Sequence, residues 1–113
     1  MGTILIVLAA AAGVAHAHTV PPEEILAELR APAAREAWDV EDASRLDKLP
    51  RLLLVRVGAR WREVPAERRR AVAEEWARAW AHAVPQGIVS VVDAATGDAV
   101  VNFDALGNAH LTR

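Results

Sequence analysis

Apolar residues are distributed along this chain in three distinct patterns. From Ile4 to Ala15 they run unbroken as apolar or small residues. Between Ile25 and Trp38, and again between Val72 and Ala83, they return every three or four positions. At Leu52–Val57, Ile88–Asp93 and Ala99–Phe103 they cluster in short aliphatic runs. The second pattern is that of an amphipathic helix and the third that of a strand.

Pro21-Pro22-Glu23-Glu24 predicts a helix start, since proline suits the first turn and acids favour the positive end of the dipole. Ile25, Leu26 and Leu29 form its apolar stripe. Pro32 ends that helix and opens a second from Ala33 to Trp38, and Asp42 to Lys48 reads as one further turn. Helices this short must dock on something larger.

Leu52 to Val57, followed by Gly58, predicts a strand. Pro65 to Ala83 predicts the main helix. Val72, Trp76, Ala79, Trp80 and Ala83 share one face, and Glu67, Arg70, Glu74 and Arg78 take the other. Glu74 and Arg78 stand in the favourable order for an ion pair one turn apart. Pro85-Gln86-Gly87 stops the helix. Ile88–Asp93 and Ala99–Phe103 follow as strands. In the turn between them Asp93 accepts through its side chain and Gly97 supplies positive φ. Asp104 and Gly107 repeat the device before a last strand, Ala109 to Thr112.

The fold expected is α+β. A small β-α-β-β-β body sets one long amphipathic helix on a mainly antiparallel sheet, with short N-terminal helices in front. Ile88, Val89, Val91, Val92, Val100, Val101 and Phe103 load both faces of the hairpin. A sheet with one wet face alternates cleanly. The long helix is therefore expected to cover one face, and the N-terminal helices or a second molecule the other.

The motif Asp93-x-x-Thr96-Gly97-x-x-Val100 resembles the turn of PepSY-type exported domains, which also place a helix before such strands. The likeness covers Asp93 to Val100 and its flanks. It is a turn signature shared by many β-proteins, so no function is carried over from it.

The unbroken run at the N-terminus changes the picture from fold to location. No residue from Met1 to Pro22 carries a formal side-chain charge, and the run leads into Ala15-His16-Ala17, an A-x-A pattern. An apolar stretch of roughly 7–15 residues before small residues is a secretory signal, shorter than the roughly 20 that span a bilayer. Residues 1–17 are thus expected to be a signal peptide, or an uncleaved anchor. Residues 18–50 form an acidic helical segment and residues 51–113 the α+β body. The protein is expected in the periplasm or outside the cell. If the anchor is retained, the domain is tethered to the inner membrane, facing the periplasm, as a subunit of a larger membrane complex.

Charge narrows the partners. Lys+Arg 13 against Asp+Glu 15 leaves a net charge of −2, which argues against nucleic acid. The charge is segregated: Val20–Pro50 is acidic, Arg51–Arg78 basic. The two stretches are expected to lie against each other in one fold or to face a partner. Lys48 is the only lysine, and the Arg and Ala bias is that of a GC-rich bacterial genome. Arg68-Arg69-Arg70 spreads over most of a helical turn and is expected to be solvated. The chain has no cysteine, which excludes disulfides, zinc ribbons and thiol catalysis.

Three groups carry candidate chemistry. His18 becomes the N-terminus if cleavage follows Ala17. Its α-amine and imidazole would then chelate copper, with His82 and His110 as the further imidazoles available. Copper is the one cofactor considered; otherwise none is expected. Trp38, Trp61, Trp76 and Trp80 are candidates for protein binding. Trp76 and Trp80 share a helix face, which favours core packing, and Trp61 lies outside the regular elements and is expected to be the exposed one. Asp93, Gly97, Asp104 and Gly107 are structural turn residues.

Catalytic sets are missing. Ser44 and Ser90 have no nucleophile-elbow glycines, and no two acids are placed in an apolar pocket. The sequence therefore points to a small exported, non-catalytic accessory or assembly subunit that binds a protein partner or a second copy of itself. Copper binding and membrane anchoring are the alternatives.

Overall fold

The computed structural model describes residues 20–112. The expected leader, residues 1–17, and His18 after it lie outside the described residues. Two short helices, α1 (Pro22–Arg30) and α2 (Pro32–Trp38), lead into strands β1 (Val40–Leu46) and β2 (Leu49–Val57). A 3-10 turn (Ala59–Glu63) and the long helix α3 (Ala66–Ala83) follow, then β3 (Ile88–Asp93), β4 (Ala99–Phe103) and β5 (Ala109–Leu111). The five strands form one mixed sheet in sequence order. Only β2 and β3 pair in parallel, across the crossover made by α3. The α+β class and the β-α-β-β-β body are as expected, with one strand added at the front.

That added strand corrects the expectation of a helical turn at Asp42–Lys48. β1 pairs antiparallel with β2, and the pairing slips between Val40 and Asp42, which leaves Glu41 as an extra residue. A bulge breaks the period of two. The buried positions, Val40 and Ala43, are consequently three apart, a helical spacing. The sheet begins at Val40, inside the segment expected to be helical, and β2 starts at Leu49, earlier than the predicted Leu52.

All three helices stack on one face of the sheet. Ile25 and Leu29 of α1 and Val72, Ala73, Trp76 and Trp80 of α3 join Leu53, Val55, Val57, Val91 and Val101 in a single core. The expectation that the N-terminal helices cover the second face is thus overturned. They sit beside α3, where α1 packs on β1 and touches α3. On the bare face Leu52 and Leu54 are half-buried by their neighbours and Ile88 is exposed, between Ser44, Arg56 and Ser90. Part of the two-faced apolarity at β4 has a local cause. Val91 pairs with Val101 and Val92 with Ala99, so Val100 is the extra residue of a bulge. Val100 and Val101 are both buried in the core.

The buried stripe of α3 is Arg69, Val72, Ala73, Trp76 and Trp80. Ala79, expected on that stripe, is exposed. Arg69, expected to be solvated, is 9% exposed, and its Nε donates to the Val64 carbonyl at 2.9 Å. It supplies a donor to the turn just ahead of the helix. Pairing of the acidic and basic stretches occurs at Asp39, whose carboxylate accepts from the Arg60 amide and the Arg60 guanidinium.

Candidate functional site

The sheet is split along part of one seam. β3 pairs with β2 along its whole length, from Ile88 to Asp93. β4 pairs with β5 from Val101 to Phe103. Between β3 and β4 the pairing registers at Val91↔Val101 and Val92↔Ala99 only, next to the hairpin turn. Away from the turn, Ile88–Ser90 and Asn102–Phe103 have no ladder partner across this seam among the described residues.

A cavity of about 650 Å³ occupies this gap. Its floor is α3, through Glu74, Ala77, Arg78 and Ala81, and one lip is the loop from Asp104 to Asn108. A volume of roughly 300–1,000 Å³ is that of a ligand-binding cleft. The gap passes through the sheet. Val89, Val101 and Phe103 belong to the helix side, and Ile88, Ser90 and Asn102 to the bare side. Val89 and Phe103 pack on the core but remain half-buried, because the gap exposes them.

The floor has an uneven distribution of free charge. Glu74 and Arg78, expected to pair with each other along the helix, do not. Glu74 Oε2 accepts the backbone N–H of Ala109 at 2.9 Å instead. Arg78, exposed, keeps no ion or hydrogen-bond partner among the described residues. The sequence signal for this was weak. The i, i+4 spacing favoured the pair, and only the fold brings β5 within reach of Glu74.

Asp104 builds the lip. Its Oδ1 accepts the amides of Leu106 and Asn108, at 2.9 and 3.0 Å, and Gly107 holds φ +86°. Its Oδ2 meets His110 Nε2 at 2.9 Å. The His110 hydrogen bond first, and the Asn108 amide next, lower the Asp104 carboxyl from 3.8 to about 2. The loop so fixed carries Leu106 at its tip, 88% exposed, while Ile88, also exposed, stands on the opposite strand. Asp104 and Gly107 are legible in the sequence as turn makers, whereas Leu106 and Arg78 carry no sequence signal that marks them as site residues.

The four candidate tryptophans are buried or half-buried. Trp61 is 1% exposed, which corrects its assignment as the exposed tryptophan. The 3-10 turn after β2 folds it under α3, where it stacks on Trp76 with centroids 5.9 Å apart. Its indole N–H has no hydrogen-bond partner among the described residues. Trp80 is fully buried and donates to the Arg51 carbonyl at 2.7 Å. Trp38 is half-buried, with the Arg68 guanidinium 5.2 Å from its ring centroid.

Asp93 and Gly97 occupy their turn as expected. Asp93 Oδ1 accepts the Ala95 and Thr96 amides, and Gly97 has φ +80°. His82 is exposed near the end of α3, and His110 is held by Asp104. Among the described residues no group of three or more His, Asp and Glu is placed to hold a metal ion. No helix among them is long and apolar enough to cross a membrane.

The chain matches no protein-family model, and no match was found among curated proteins or solved structures. The turn likeness to PepSY-type domains therefore stands without a family match, and the function is argued from the cleft.

Proposed function

We propose that this chain is a small, exported, non-catalytic accessory or assembly subunit that binds a protein partner in the gap between β3 and β4. The observation that carries the reading is the gap itself, open between two strand edges and flanked by Ile88 and Leu106. A leucine held out on a hydrogen-bonded loop is an apolar contact that a partner would cover, and exposed apolar surface beside a cleft is typical of interaction sites. Support also comes from the lining. It contains one hydroxyl, on Ser90, and no imidazole. Its two acids are engaged in holding β5 and the loop. Export rests on the apolar run and the A-x-A pattern of residues 1–17.

Photo-crosslinking in the organism of origin tests this. A benzoylphenylalanine at Leu106 or Ile88 is expected to yield one defined protein adduct in the exported fraction. The same probe at Glu67, exposed in the first turn of α3, yields none. Absence of an adduct at both lips, or identical products from all three positions, overturns the proposal. An adduct of twice the chain mass identifies the partner as a second copy.

A further inference from the structure

Resting on that reading, we propose that the partner enters the gap as an extended strand and sets an acidic side chain against Arg78. Three observations converge. First, among the described residues Ile88–Ser90 and Asn102–Phe103 face each other with no strand between them, although each strand is paired on its other side. Backbone N–H and C=O groups on an open edge are the template for strand addition. β3 and β4 are antiparallel, so an inserted strand runs parallel to one and antiparallel to the other. The unpaired stretch suits a segment of about three residues, at about 3.3 Å each.

Second, alternate side chains of such a strand point to opposite faces of the sheet. One set meets the floor, where Ala77 and Ala81 leave room for apolar groups. The other set emerges on the bare face beside Ile88. Third, the floor is electrostatically selective. Glu74 is committed to the Ala109 amide and Asp104 to its own loop and His110. Among the described residues Arg78 is the charged group of the lining left without a partner, and a guanidinium recognises a carboxylate by a bidentate pair. The ligand class is an extended peptide with alternating apolar residues and one Asp or Glu facing the helix.

Selection of phage-displayed random octapeptides on the full chain, immobilised through its C-terminus, tests the inference. Enriched peptides are expected to alternate apolar residues around a fixed Asp or Glu. A synthetic winner should bind Arg78→Ala about tenfold more weakly, as for loss of a charged hydrogen bond. Selection on Arg78→Glu should replace the acid by Lys or Arg. Proline at the centre of the peptide should abolish binding, and bound peptide should slow amide exchange at Val89, Ser90, Asn102 and Phe103. Failure to enrich any sequence overturns the inference, as do helical anchor spacing or unchanged affinity for Arg78→Ala. Adducts from Leu106 that persist in that event leave protein binding standing by another mode; loss of both removes the two readings together.

Discussion

The Glu74 carboxylate accepts the backbone N–H of Ala109 at 2.9 Å, so a side chain of the long helix ties down the first residue of the last strand. Ala109 is buried, and removing its acceptor leaves an unsatisfied donor. That costs about 1–3 kcal/mol. For a domain of this size about 1 kcal/mol moves the melting temperature by roughly 4–8 °C. Glu74→Ala should therefore melt several degrees below wild type, with faster exchange of the Ala109 amide. Glu74→Gln keeps an acceptor oxygen and should recover most of the loss. Equal destabilisation by both variants would show that charge, not the hydrogen bond, is what matters here.

Gly87 and Trp80 make a closer relationship. The helix ends in extended backbone at Val84, and the positive φ of the turn that follows, +58°, falls on Gln86, so Gly87 is not there for positive φ. A Cβ on Gly87 would lie 2.7 Å from Trp80 Cδ1, against an indole that is fully buried and bonded to the Arg51 carbonyl. Overpacking of this kind costs about 1–3 kcal/mol. Gly87→Ala is expected to lower the melting temperature and to change the near-ultraviolet circular dichroism of the tryptophans. An unaltered spectrum together with an unaltered melting temperature would contradict the contact.

The elements most legible in sequence were those whose burial follows one period. Val72, Trp76 and Trp80 mark α3 because a helix on a sheet keeps one face inward, and Asp93 with Gly97 marks the hairpin because a turn needs those chemistries. β1 was hidden by its bulge at Glu41, which put Val40 and Ala43 at helical spacing on a polar edge strand. Trp61 was misplaced because a 3-10 turn buries a residue through tertiary contact alone, with no periodicity to announce it. The cleft was illegible for a similar reason. Ile88 and Phe103 read as ordinary strand residues, and nothing local says that their strands stop pairing after Val91.

Gly97 differs from Gly87 in that a Cβ there meets nothing within 4 Å. Its cost arises from the backbone alone, at φ +80°. A β-branched residue forced into this region loses about 1–2 kcal/mol. Gly97→Val should lower the melting temperature by several degrees, whereas Gly97→Asn, which tolerates left-handed φ, should lose less. Neither variant touches the lining of the cleft, so peptide or partner binding should be unchanged at a temperature where both are folded. A melting temperature for Gly97→Val equal to that of wild type would place the turn elsewhere.

Asp104 and His110 give the lip of the cleft a defined response to acid. The Asp104 carboxyl is held at about 2 in the folded chain, chiefly by His110 and next by the Asn108 amide, against 3.8 for an ordinary aspartate. A depressed folded pKa means that the folded state releases this proton more readily than the unfolded one, so stability rises with pH across the interval. The contribution is present above about 3.8 and is lost as pH falls through about 2. Asp104 is solvent-exposed, so the effect is local to the loop that carries Leu106. Carbon-13 NMR of the Asp104 carboxyl should titrate near 2, and the Leu106 amide, which that carboxylate holds, should shift with the same midpoint. His110→Ala removes the largest cause and should raise the midpoint toward, but not fully to, 3.8, because the Asn108 and Leu106 amides still favour the anion. Identical midpoints in wild type and His110→Ala would show that the His110–Asp104 contact does not form in solution.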